Sequence, residues 1–229
     1  MIQLKAEKIL EIFGFNLTNT YLASLLSLFF IVFIVLILQK RIKETPDNLQ
    51  ALVEIIFEGF YNFWKNITGI KNLKLFTFCF TFFIYILLSN WFGVLPGFGS
   101  IYIKHHEEKI HLLRTAYSDL NMTLALGLIS VIGVNFIALS KLKFDFIKKY
   151  LSPVGILEIF SEFSKILSFS FRLYGNILAG EVLLIVVNSL IPFLAPFPFL
   201  ILEIFVGFIQ ALIFFTLTSI FLKVAFSHH

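Results

Sequence analysis

Arg172, Glu181 and Glu203 stand inside long apolar runs. A charge at membrane depth costs at least ~2.5 kcal/mol on insertion scales and seldom persists there without a role. Arginine keeps its proton under any accessible condition, so Arg172 supplies a permanent positive potential that attracts a carboxylate but relays no proton. Carboxyls can accept and release protons, and Glu181 and Glu203 suit a water-linked conduction path. Residues set at 100° intervals place Glu158, Ser161, Lys165, Ser168, Asn176 and Ala179 within about 40° of Arg172, in one stripe on a helix otherwise covered by Leu, Ile and Phe. Such a stripe must face something other than lipid. Glu181 points to the opposite side and lies roughly 14 Å further along the axis. On the following helix Glu203, Gly207 and Gln210 share a second polar face, which a neighbour can bring near Glu181 or Asn176. The competing readings are structural. Arg172 would pair internally with Glu181 or Glu203, the amides Asn176 and Gln210 would join helices, and Glu158, Glu162 and Lys165 would reach water by snorkelling.

The elements that carry these residues are membrane spans. The 229 residues are 59% hydrophobic, 17% aromatic and 14% charged, with a mean hydropathy of +0.92, which excludes an ordinary soluble domain. The expected fold is an all-α polytopic membrane protein, one membrane domain over 1–229. Its five helices run over 21–38, 75–95, 120–139, 153–190 and 199–226, after an outer N-terminal segment 1–20. The basic excess sits beside the apolar runs, at Lys40, Arg41, Lys43 and again at Lys141, Lys143, Lys148 and Lys149. It therefore signals orientation rather than nucleic-acid binding. With both clusters in the cytoplasm, the N-terminus lies outside and the C-terminus inside. The first span carries its positive charge after the apolar core, which is the reverse of a secretory signal, and reads as an anchor that stays.

The fourth helix, from Pro153 to about Leu190, covers roughly 38 residues and would extend roughly 55 Å, so it must tilt, bend or lie partly across the membrane. Pro192, Pro196 and Pro198 then break it, and the last segment makes a hairpin with it. Cys79 lies in an apolar run without a partner and reads as a small buried hydrophobe. The loop with His105, His106, Glu107, Glu108 and His111 reads as solvated surface rather than a metal site, and no metal or other cofactor is expected.

The stretch Ser164-Lys165-Ile166-Leu167-Ser168-Phe169-Ser170-Phe171-Arg172-Leu173-Tyr174-Gly175-Asn176-Ile177-Leu178-Ala179-Gly180-Glu181 resembles the signature S-x-x-x-R-L-x-x-N-x-x-A-G of F-type ATP synthase subunit a. Further segments agree in order: Pro46-Asp47-Asn48-Leu49-Gln50 with Glu54, Ser89-Asn90-Trp91-Phe92-Gly93-Val94-Leu95-Pro96, Asp119-Leu120-Asn121-Met122-Thr123, and Gln210-Ala211-Leu212-Ile213-Phe214. The resemblance covers the chain from about residue 40 onward.

This resemblance implies a stator subunit with no catalysis of its own, facing a rotating ring of c subunits and joined to the b-subunit peripheral stalk and the rest of the complex. Two offset half-channels would load and unload a carboxyl on each rotor subunit, turning ion flow into torque while ATP is made elsewhere. Asn176, Glu181, Glu203 and Gln210 would then belong to the outer half-channel, with Asp119 and Asn121 near its mouth. Ser168, Ser161 and Glu158 would border the inner one, and Arg172 would separate the two. Whether the ion is H⁺ or Na⁺ is set mainly by the rotor's site. Acids at both Glu181 and Glu203, with the PDNLQ segment, resemble bacterial and plastid forms, which implies a bacterial inner membrane, or alternatively a thylakoid. The rival of another class, a secondary transporter with an Arg-centred substrate site, predicts internal repeats or paired broken helices, and the sequence has neither.

Overall fold

The computed structural model describes residues 8–12, 15–43, 46–95, 102–105, 108–111, 114–142, 155–191 and 195–227. Pro96, His106, Glu107, Pro153, Pro192 and the lysines at 143, 148 and 149 lie outside these segments. Among the described residues six α-helices carry the fold. They are α1 (Asn19–Arg41), α2 (Asn48–Thr68), α3 (Leu73–Val94), α4 (Leu120–Leu142), α5 (Gly155–Leu190) and α6 (Pro196–Ser227). All but α2 are long and apolar enough to cross a membrane, so the chain is an all-α polytopic membrane protein. Two short antiparallel hairpins accompany the helices, Lys8–Ile12 with Phe15–Thr18 and Tyr102–His105 with Glu108–His111.

The helix ends have local causes. Thr18 caps α1 by accepting from Tyr21 N, and the Asn72 side chain caps α3 by accepting from Lys74 N and Leu75 N. Gly69 closes α2 in the left-handed region, φ 73°, with its N–H on Lys65 O. Asp119 opens α4: its Oδ1 accepts from Asn121 N at 2.9 Å. Helix α5 ends at Leu190, ahead of the prolines as expected, while Pro196 and Pro198 lie in the first turn of α6, which starts three residues before the expected 199, where proline's missing donor has no helical acceptor to lose.

Contacts between the helices fix their directions. Asn135 reaches Glu162 while Ser170 reaches Thr123 O, so α4 and α5 run antiparallel. Phe169 stacks on Phe214 at 4.3 Å, with Lys165 4.8 Å from the Phe221 ring and Gly180 against Glu203. These contacts make α5 and α6 the expected antiparallel hairpin. Asn90 on Gly207 and Phe82 on Phe214 set α3 antiparallel to α6. One end of the bundle therefore gathers the starts of α1, α4 and α6 with the ends of α3 and α5, where Thr20 donates to Asp119 at 3.4 Å. At the other end Lys141 of α4 lies 5.0 Å from the Phe226 ring, and Lys223 of α6 donates to Ile67 O of α2 at 2.9 Å.

The core is aromatic. Phe57, Phe60, Tyr61 and Trp64 form one face of α2 and pack on Phe76, Phe80, Phe83 and Phe215 of α3 and α6. Hydroxyls join helices whose apolar surfaces gain little by leaving lipid for protein: Ser27 with Ser89, and Ser130 with Thr218, each at 3.0 Å. Ser130→Ala and Thr218→Val are each expected to cost about 0.6–1.7 kcal/mol. The double variant should cost less than their sum, measured by unfolding in mixed micelles.

Candidate functional site

Helix α5 buries one ridge and leaves another open. Phe169, Ser170, Leu173 and Ile177 are buried, held by contacts such as Ser170 Oγ on Thr123 O at 3.2 Å. A Cβ on Gly127 of α4 would come within 2.9 Å of that hydroxyl, so the two helices cross closely. The opposite ridge has Ser161, Ser168, Gly175 and Ala179 exposed, with Arg172 and Asn176 half-buried among them. Arg172 Nη2 donates to Ser168 Oγ, one turn back, at 3.1 Å. No acid of the described residues is ion-paired with it. The internal pairing of Arg172 with Glu181 or Glu203 is therefore not what the fold does.

Glu181 is turned the other way, as the helical arithmetic expects, and carries an ion pair that sequence reasoning missed. Arg114 Nη2 lies 2.9 Å and Nε 3.3 Å from the same oxygen, Oε2. The side chains are only 16% and 19% exposed. Glu203 of α6 also comes to this end of α5, because a Cβ on Gly180 would meet Glu203 Oε1 at 2.9 Å. Its Oε2 is buried without a hydrogen-bond partner among the described residues. Gly207 does not continue that face toward α5. It lies under Asn90 of α3, whose Nδ2 donates to Gly207 O at 3.2 Å. Trp91 Nε1 donates to Ile204 O at 3.2 Å beside it. Asn176 and Gln210 are half-buried and make no side-chain hydrogen bond among the described residues.

The segment before α4 positions Arg114. Thr115 packs against Gly93, where an added Cβ would stand 2.6 Å from two of its side-chain atoms, and Ala116, Tyr117 and Ser118 are buried in a 3-10 turn. Burial pushes the Tyr117 phenol well above its ordinary value, so it stays protonated. Asp119 spends its side chain on capping α4 and on Thr20, and Asn121 is exposed. A row of buried polar residues from α1, Thr20, Ser24 and Ser27, lines this same end. Their spacing at three and four residues was the legible signal.

Toward the other end, Glu158, Glu162 and Lys165 do not reach freely into water. They line a cleft with Asn135 and Phe221. Lys165 is ion-paired with Glu162 at 2.7 Å, and Asn135 donates to Glu162 at 3.1 Å. Ser161 and Ser168 are exposed on the open ridge. His105, Glu108 and His111 sit on a hairpin rather than a loop, and among the described residues no three metal-ligating side chains gather.

Among the described residues five helices are long and apolar enough to cross a membrane, and with Arg114 ion-paired and Arg172 on an open ridge they make up a polytopic membrane protein that carries charge among its apolar helices. The family model for the ATP synthase A chain matches residues 21–223, so the chain belongs to that family. It is 35% identical over 198 residues to "ATP synthase subunit a, chloroplastic" of Stigeoclonium helveticum, covering 85% of this chain and 78% of that protein. As a family member the chain is an integral membrane component of ATP synthase that serves proton translocation.

Two glycines at the site give opposite expectations. Gly180→Ala meets only the mobile end of Glu203 and should change stability by less than about 1 kcal/mol. Gly93→Ala meets the whole of buried Thr115 and should cost about 1–3 kcal/mol. Unfolding of the purified variants in detergent checks both.

Proposed function

We propose that Arg172 meets a carboxyl carried by a moving neighbour, the ring of c subunits, and that protons reach and leave that carboxyl through two offset half-channels in this chain. The supporting observation is the open ridge of α5. Among the described residues its guanidinium is held only by a serine one turn away, and the residues around it are small enough to let another helix approach. A fixed charge there favours a deprotonated rotor carboxylate as it passes and repels protons from crossing directly, so transport must follow the ring around.

In this reading Asn176, Glu181, Glu203 and Gln210 form the path at the Arg114 end, with Asp119 and Asn121 toward its mouth. Glu158, Ser161 and Ser168 border the path at the other end, where the cleft beside Glu162 and Lys165 opens. Lys40, Lys43, Lys141 and Lys223 all belong to that second end, which supports reading it as the cytoplasmic end, with the start of α1 outside. The subunit makes no ATP itself. It transmits torque against a b-subunit stalk in a bacterial plasma membrane; the chloroplast relative favours a thylakoid as the second reading.

Arg172→Ala in the assembled complex should abolish ATP-driven proton pumping while assembly persists. Failure to assemble would instead assign the arginine a structural role. Gly175 has no atom of its own chain within 4 Å of an added Cβ. Gly175→Leu should therefore leave the isolated subunit as stable as before but weaken its association with the ring, read by co-purification.

A further inference from the structure

Arg114 belongs to the segment ahead of α4, and Glu181 lies 67 positions later on α5. Two N–H groups of the guanidinium converge on one carboxylate oxygen, which leaves Glu181 Oε1 without a partner among the described residues. The pair is sheltered, and its cationic half sits on a rigid mount, since Thr115 is wedged against Gly93 of α3 and Tyr117 is buried. Glu203 beside Gly180 differs in kind, because one of its oxygens is buried and carries no hydrogen bond among the described residues.

Two neighbouring acids left to themselves share protons as a pair. A guanidinium on one of them ends that sharing, because it cannot give up its own proton and the acid it holds stays charged. We propose that Arg114 is a positioning residue of the outer pathway: it pins Glu181 as a carboxylate and leaves Glu203 as the acid that takes up and passes on each proton. This assignment rests on the reading of Glu181 and Glu203 as steps of that pathway. Without Arg114, Glu181 would keep an uncompensated charge in apolar surroundings and would relieve it by taking a proton. The two acids would then compete for the same traffic.

The test uses the assembled complex in vesicles and dicyclohexylcarbodiimide, which adds to protonated carboxyls in apolar surroundings. The modified residues are located by peptide mass mapping. In the native complex Glu203 should be modified and Glu181 spared. Arg114→Gln should bring modification to Glu181 and lower passive proton conduction about ten- to a hundred-fold, the latter being the ~10²-fold that a positioned proton-transfer group contributes. Arg114→Lys, which restores the charge, should spare Glu181 again and recover conduction. Modification of Glu181 in the native complex, or none gained in Arg114→Gln, overturns the proposal. Conduction through Glu203→Gln separates the two levels of inference. If it is unchanged, the pathway reading itself fails. If it is lost while Arg114→Gln conducts normally, only the role of Arg114 fails.

Discussion

A guanidinium that cannot be neutralised has to be provided for wherever the surroundings are apolar, and this chain does so in two opposite ways. Arg114 is matched to an acid of the same chain, so its charge is spent within the bundle. Arg172 is given only a serine hydroxyl, and its charge remains directed outward from α5. That contrast orders the rest of the structure. The buried ridge of Phe169, Leu173 and Ile177 fixes which way α5 faces, and Gly127 lets α4 come close enough to hold it. Rotation of α5 by a third of a turn would bury the arginine against apolar neighbours.

The framework that resists such rotation is unusually aromatic. Of the 31 phenylalanines in the sequence, those at 57, 60, 76, 80, 83 and 215 interlock edge to face or in offset stacks across three helices. Ring pairs of this kind add roughly 0.5–1.5 kcal/mol each beyond the area they cover. In lipid, where apolar burial alone distinguishes poorly between partners, this specificity of shape decides which helices meet.

Much of this was legible from residue order alone. The five apolar runs, the polar stripe through Arg172 and the opposed direction of Glu181 all follow from period and length, and the helices found differ from the expected ranges by a few residues at their ends. What was not legible depends on pairs distant in sequence. Nothing in the residue order ties Arg114 to a partner, and only the fold brings it across to Glu181. The Asn135 amide likewise acquires meaning only from Glu162 on the next helix. Helix α2 was missed for a different reason: its charges, Glu54, Glu58 and Lys65, hide it from a search for apolar runs. Yet Phe57, Phe60, Tyr61 and Trp64 repeat at three and four residues, which betrays a one-sided helix. The prolines marked the end of α5 correctly, but proline is welcome in a first turn, so α6 begins at Pro196 rather than at 199.

Among the described helices five are long and apolar enough to cross a membrane and α2 is not, its end tied by Lys223 to the basic end of the bundle. A sixth crossing at that position would invert α3 through α6 together. The end that holds Glu181 and Glu203 and the end that holds Lys141 and Lys223 would then exchange sides. The amphipathic make-up of this one helix, too charged to enter lipid and too aromatic to leave the bundle, thus acts as a parity device that fixes the sense in which the later helices run.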